Sequence, residues 1–266
     1  MAIFDCFQFF NEEHIADLRF NILNEFVDNF VIVESTINHQ GKSKKLNFDI
    51  NKFSKFKKKI NYIVVDDTPK DFIKPHEGGE SLVEQHQRNS LMKGLIKASD
   101  DDLVILSDVD EIPDLNKLKE FNRNKYAVFS QKMFMYKLNL LNLRENNWHG
   151  SKICLKKNLK SPQWLRNLKF KKYPFWRIDK KKLQIIDGGW HFSFLQTPNE
   201  IAKKIKSYSH GEFNTKDNID IEKINNKIKN NIDIFNRGYK LKKIEIDGTF
   251  PEYIFNNKIS LKDWIV

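Results

Sequence analysis

Three acids close behind a buried apolar run are the residues of this sequence best suited to chemistry. In LVILSDVDEIP, residues 103–113, a hydrophobic stretch runs straight into Asp108, Val109, Asp110 and Glu111, and Pro113 ends the extension. Side chains two apart on an extended chain project to the same side, so Asp108 and Asp110 could share one hard cation, Mg2+ or Mn2+. A diphosphate would supply the remaining oxygen ligands. An isolated Asp-x-Asp carries little weight, because acids often follow strands as caps and loop residues. Placement at the carboxyl end of a hydrophobic strand, with a third acid adjacent, points to a metal–nucleotide role.

Other residues have softer claims. Phe10, Asn11, Glu12 and Glu13 follow a first apolar run and Glu34 ends a second, so both groups would sit on one rim of a sheet, holding a base or ribose or capping helices. Arg88, in HQRN, is an always-charged fork that could pair with a diphosphate or with a surface acid. In Asp187-Gly188-Gly189-Trp190-His191 two glycines allow close backbone approach beside an acid, an indole and an imidazole. His191 could ligate a metal, bind phosphate or be a satisfied structural histidine, and His149, His210 and Glu212 share that ambiguity. Trp148 and Trp190 could stack on a sugar ring of an acceptor or fill a core.

The elements that must position these residues alternate. A strand over 3–9, a helix over 12–26 and a strand over 30–34 come first. A helical stripe of Ile50, Phe53 and Phe56 then leads to a strand over 61–65. Ser81 with Glu84 forms a capping box that opens a helix to about Ala98, before the strand 102–107. Such alternation predicts a mostly parallel α/β sheet with right-handed crossovers, in which ligands sit beyond the carboxyl ends of the strands. After Pro113 the pattern turns to extended aromatic segments, 126–138, 148–155 and 190–194. Thr197-Pro198-Asn199-Glu200 starts a helix to about Tyr208, and another spans roughly 220–235, stopped near Gly238. With no linker or repeat, 266 residues read as one domain, with 1–113 the nucleotide-binding half and 114–266 the acceptor-side half.

Composition excludes several classes. With 22 Phe and 40% apolar residues, disorder and coiled coil are poor readings, and two cysteines exclude a disulfide scaffold. The longest clean apolar runs are four residues long, so no transmembrane span is expected. The apolar N-terminus carries Asp5 and lacks a basic leader, so no signal peptide is expected either, and no Asn-x-Ser/Thr acceptor occurs. Together these favour the cytoplasm. The net charge of +11 equals that of residues 151–182 alone, where twelve basic residues and one acid mix with aromatic rings. That stretch could be a solvated face, a peripheral contact with an anionic membrane, or a grip on a phosphate-bearing ligand. Nucleic acid is not expected: no binding motif is present, and 39 of the 46 cations are Lys.

The runs FFNEEHIADLRFNIL, VDNFVIVESTINHQGKSKKLNF, HQRNSLMKGL, ILSDVDEIP, GGWHFSF and IKSYSHGEFNT, in this order and spacing, resemble glycosyltransferase family 17. The resemblance is densest from Phe4 to Pro113 and thins between Leu155 and Asp187. It implies a GT-A-like nucleotide-sugar fold, a UDP-sugar donor such as UDP-GlcNAc, a divalent metal at Asp108 and Asp110, and inversion at the anomeric carbon; His191 remains a further candidate ligand from its residue type alone. The animal enzymes of that family carry a membrane anchor and luminal stem that this sequence lacks, so a surface or lipid-linked glycan is the expected acceptor.

An inverting transfer needs a carboxylate to take the acceptor's proton. Asp187 is the first candidate, with Glu212 and Glu111 in reserve. Two other functions use the same residues. A metal-dependent nucleotidyltransferase or nuclease would employ Asp108, Asp110 and Glu111, and a basic-aromatic module binding glycan or membrane would need none of them.

Overall fold

The computed structural model describes residues 1–73, 81–121, 125–145, 147–169, 184–207 and 213–266. Its centre is β1 (Ile3–Gln8), whose apolar residues point alternately to two buried faces. Phe7 joins a core with α1 (Glu13–Leu23), where Ile15, Leu18, Phe20 and Leu23 are buried. Phe4 and Cys6 face the opposite core with Val31, Val33, Val104 and Leu106. Burial on both faces is why these strands are continuous apolar runs.

β2 (Asn29–Ser35), β3 (Ile60–Val65) and β4 (Leu103–Asp108) complete a parallel set ordered β3-β2-β1-β4. Gln8 pairs with Asp108, so the first and fourth strands end side by side. α2 (Leu82–Asn89) opens with the expected cap, Glu84 N–H donating to Ser81 Oγ. The expected long helix to Ala98 is broken there, because residues 90–95 tighten into a 3-10 turn. Gly94 lets this turn pack closely on β2, since a Cβ at that position would overlap the Val31 side chain. The stripe from Ile50 to Phe56 is likewise 3-10 and is kinked at Phe53, with both phenylalanines buried.

The expected parallel pairing holds for these four strands and returns at a later pairing, while the other strands join antiparallel. β5 (Glu111–Pro113) is a short strand off the main path. β6 (Tyr126–Met135), β7 (Leu140–Asn142) and β8 (Trp148–Leu155) join antiparallel, β8 pairing with β4. Short connections between sequential strands allow antiparallel pairing, whereas parallel pairing needs a crossover. β6 stops earlier than the apolar run because Tyr136 turns left-handed, φ 63°. α3 (Pro162–Arg166) follows, and β9 (Gln184–Ser193) pairs parallel to β6 and antiparallel to β5. β9 begins well before Trp190 and carries a bulge at Gly189, φ 124°, where a Cβ would stand 2.6 Å from the Ile112 carbonyl.

α4 (Pro198–Ser207) starts at the expected Thr197–Glu200 box. α5 (Ile221–Lys229) is shorter than its pattern, since Asn231 adopts φ 55° and terminates it as a left-handed cap. β10 (Leu241–Lys243) closes the far sheet edge, and α6 (Glu252–Asn256) packs on α1. The result is a mixed α/β molecule with a large central sheet flanked by helices. Among the described residues no helix is long and apolar enough to cross a membrane.

Candidate active site

Where β1 and β4 end, the chain lines a cavity of about 400 Å³. Gln8, Phe9, Phe10 and Glu12 come from the end of β1 and the turn after it, and Asp108, Val109 and Asp110 from the end of β4. Glu84, Gln87 and Arg88 come from α2, Arg166 from α3, His191 and Ser193 from β9, and Lys204 from α4. The two acids of the Asp-x-Asp pair both reach this space. They are not held alike.

Asp108 accepts from Arg166 Nη2 at 2.6 Å and lies 3.8 Å from Arg88 Nη2. Asp110 lies 3.6 Å from His191 Nε2 and 3.6 Å from Lys204 Nζ, and that lysine is also 3.2 Å from Glu12 Oε1. Burial by itself would raise both carboxyl pKa values. Arg166 and Arg88 outweigh it at Asp108, and Lys204 and His191 at Asp110, so Asp108 is held below the usual carboxyl range and Asp110 well below it. His191 shifts the other way: burial would lower it, but the Asp110 carboxylate beside it raises it.

Glu111 lies beneath the cavity with a fully buried side chain. It accepts from Trp148 Nε1 at 2.7 Å, from the Asp108 backbone N–H at 3.0 Å and from Arg166 Nη1 at 2.8 Å. With its oxygens so engaged it fixes the acidic turn and does not face a ligand. Deeper still, Arg19 donates to the carbonyls of Asp108, Val109 and Glu111, the last at 2.6 Å, while Asp5 holds its other edge. The acidic turn is thus gripped through its backbone by a buried guanidinium.

The donors present fit a divalent metal of the kind completed by substrate. Asp110 Oδ1 and His191 Nε2 face each other, and His191 Nδ1 is buried without a hydrogen-bond partner. Among the described residues no group of three or more His, Cys, Asp or Glu is arranged to hold a metal. Mg2+ and Mn2+ commonly take one or two protein ligands and draw the rest from phosphates and water, and Mn2+ accepts imidazole.

A sequence profile of glycosyltransferase family 17 matches residues 1–239. The chain belongs to that family. No curated protein matches it. Solved structures with a similar course include a putative glucose-1-phosphate thymidylyltransferase from Bacillus anthracis, 11% identical over 71% of this chain and 88% of that one, at a TM-score of 0.40. S. aureus TarS 1–349 is 17% identical over 86% and 72%, also at 0.40. The inositol-1-phosphate CTP transferase from T. maritima is 9% identical over 100% and 98%, at 0.35.

For this family 17 member the sequence reading of the site needs several corrections. Asp187 is exposed on β9, opposite Ser130, and does not line the cavity, because the two glycines after it lie inside a bulged strand. Glu34 is fully buried and accepts from the backbone N–H groups of Asn47 and Phe48, from Tyr62 Oη and from Lys44, so it organises the turn after β2. Asn11 lies off the cavity, with Gln196 donating to it at 3.4 Å. Trp190 is a core residue beside Ile112, whereas Trp148 lines the cavity with its ring 4.8 Å from that of His191. His149 is exposed. His210 and Glu212 lie outside the described residues.

The basic stretch is not a simple surface patch where it is described. Lys152 is buried and donates to the carbonyls of Arg166 and Leu168, Lys160 stands over the Trp164 ring, and Arg166 enters the site. Residues 170–182 lie outside the described residues. Sequence reasoning missed Arg19, Arg166, Lys204 and Arg237. One signal could have found most of them: arginine is scarce here, at seven residues, and four of the five among the described residues line the cavity or lie directly under it. A lysine-rich chain keeps arginine where a rigid fork must span two acceptors.

Proposed function

We propose that this family 17 glycosyltransferase moves a sugar, GlcNAc in our reading, from a UDP-sugar to a hydroxyl of a glycan or lipid-linked glycan, with inversion and with Mn2+ or Mg2+. The observation that carries this reading is the convergence of two ionised acids, Asp108 and Asp110, with Arg88, Arg166 and Lys204 in one cavity at the carboxyl ends of parallel strands.

Asp110 and His191 would hold the metal, with Asp108 beside them. When bound, the metal neutralises charge that builds on the diphosphate as the glycosidic bond breaks. Arg88, Arg166 and Lys204 offer fixed positive charge to the same oxygens without reorganisation. Arg19 and Glu111 hold the acidic turn in place. Phe10 and the polar groups at the end of β1 bound the side where the nucleoside would lie. Trp148 borders the reacting centre. With Asp187 away from the cavity, we assign proton acceptance to Glu212, which precedes the cavity-lining Phe213 in sequence.

The test is direct. The protein is incubated with a panel of UDP-sugars and Mn2+, and UDP is quantified, with pyrophosphate and nucleic-acid cleavage assayed in parallel. UDP release that is abolished in Asp110→Ala supports the reading. Pyrophosphate or cut strands without UDP would replace it with nucleotidyl transfer or hydrolysis of nucleic acid.

A further inference from the structure

The end of the cavity beyond Asp110 is built differently from the rest. Phe213 and Phe235 stack there at 4.3 Å with 28° between ring planes, and Phe194 meets Phe235 edge-on at 5.7 Å. All three line the cavity. Phe194 is buried, while Phe213 and Phe235 are partly exposed.

Two further features tie this wall to the chemistry. Phe194 holds φ 54°, a backbone state that a bulky L-residue rarely adopts, just past the end of β9 and three residues from His191. Such an outlier persists only where the surroundings over-determine it, and it is common at ligand clamps. The same ring has Lys204 Nζ 5.8 Å from its centroid, and that ammonium is the one beside Asp110 and Glu12. One lysine therefore joins the aromatic wall to the acidic pair.

The charge on the wall is matched. Arg237 lies 5.1 Å from the Phe235 centroid, and its Nε and Nη2 donate to the buried carboxylate of Asp233 at 3.0 and 2.7 Å. One guanidinium against one carboxylate leaves this wall without net charge of its own. The exposed edge of Arg237 can still hydrogen-bond a hydroxyl.

The geometry points to Phe194, Phe213 and Phe235, with Arg237, as the subsite for the acceptor: a neutral pyranose stacked by its C–H face on the Phe213–Phe235 wall, its attacking hydroxyl turned toward Asp110 and Lys204. This deepens the glycosyl-transfer reading and rests on it. Aromatic faces suit pyranoses because one side of the ring presents only C–H bonds, and a stacked pair gives a rigid platform at low entropic cost.

The experiment is saturation-transfer NMR on the whole chain with methyl β-D-glucopyranoside and methyl β-D-glucopyranosiduronate as probes, without donor. Saturation concentrated on the protons of one ring face, and stronger for the neutral sugar, is the expected result. Phe213→Ala and Phe235→Ala should each weaken it about tenfold or more, and Phe213→Trp should restore it. A melting curve shows that each variant is folded, and partly exposed Phe213 is the safer of the two sites. No saturation in the wild type, equal saturation in folded Phe213→Ala and Phe235→Ala, or preference for the uronate overturns the assignment. UDP release by the wild type is measured separately. Its absence would count against glycosyl transfer, while saturation that depends on the phenylalanines would still locate a sugar subsite.

Discussion

Arg19 and Asp5 form an ion pair from which water is wholly excluded, Nη2 to Oδ1 2.6 Å with both side chains fully buried, and its free edge holds the backbone of the Asp-x-Asp turn. Removing one partner strands a charge in the core, while removing both does not. Arg19→Met should therefore cost about 3–5 kcal/mol, and the double variant with Asp5→Leu should recover much of that. Denaturant unfolding of the four proteins closes the cycle. UDP release should stay low in the double variant, because the carbonyls of Asp108, Val109 and Glu111 lose their clamp whatever the stability. A double variant with full turnover would remove Arg19 from any positioning role.

Asp110 and Asp108 should separate in their sensitivity. Asp110→Asn removes the carboxylate beside both His191 and Lys204, and chelation of divalent ions should mimic it. Each should reduce UDP release by about a hundredfold or more, since metal stabilisation of developing charge is worth several kcal/mol. Asp108→Asn removes one partner of Arg166, which Glu111 still holds, and should act more mildly. Turnover that survives a chelator would show that Arg88, Arg166 and Lys204 suffice alone.

Asp187 offers a contrast. Because its side chain lies on the exposed face of β9 away from the cavity, Asp187→Asn should leave turnover within about twofold and stability within about 0.5 kcal/mol. Glu212→Gln, by comparison, should reduce transfer by about 10² to 10⁴-fold while UDP still binds. A steep loss in Asp187→Asn, measured as initial rates at saturating donor, would return the base to that position.

The Asp233–Arg237 pair sets a pH dependence. Burial would raise the Asp233 carboxyl, but hydrogen bonds from the Arg237 side chain and backbone N–H hold it below its usual value. A depressed pKa contributes stability that is present above the unfolded value of about 3.9 and is lost as pH falls through the folded one. Asp233→Asn should thus be most destabilising near neutrality, with the gap to wild type narrowing below about pH 4. Urea midpoints for both proteins across that range decide it, and a gap independent of pH would mean that packing alone explains the cost.

Local pattern made much of this molecule legible. Apolar runs alternating with amphipathic stripes required a parallel set with both faces covered, and the place where β4 runs into Asp108 and Asp110 followed from it. Caps at Ser81 and Thr197 were visible because they are made by residues three apart. The failures are equally local in cause. Asp187 looked like a turn residue because glycines usually mark turns, yet here they let a strand bulge against Ile112. Glu34 looked like a ligand contact at a strand end, and it satisfies backbone N–H groups of the next loop.

Sequence by itself determined the first four strands and the acidic turn, which rest on residues near one another along the chain, and the family, which rests on short runs kept in a fixed order. Tertiary structure alone decided that Arg166 from α3, His191 from β9 and Lys204 from α4 meet around the Asp108 and Asp110 carboxylates, and that Arg19 from the first helix grips the backbone beneath them. The physical reason is that a charge can be buried only beside its partner, and those partners are brought together by sheet pairing and helix packing across long separations that no spacing along the chain encodes.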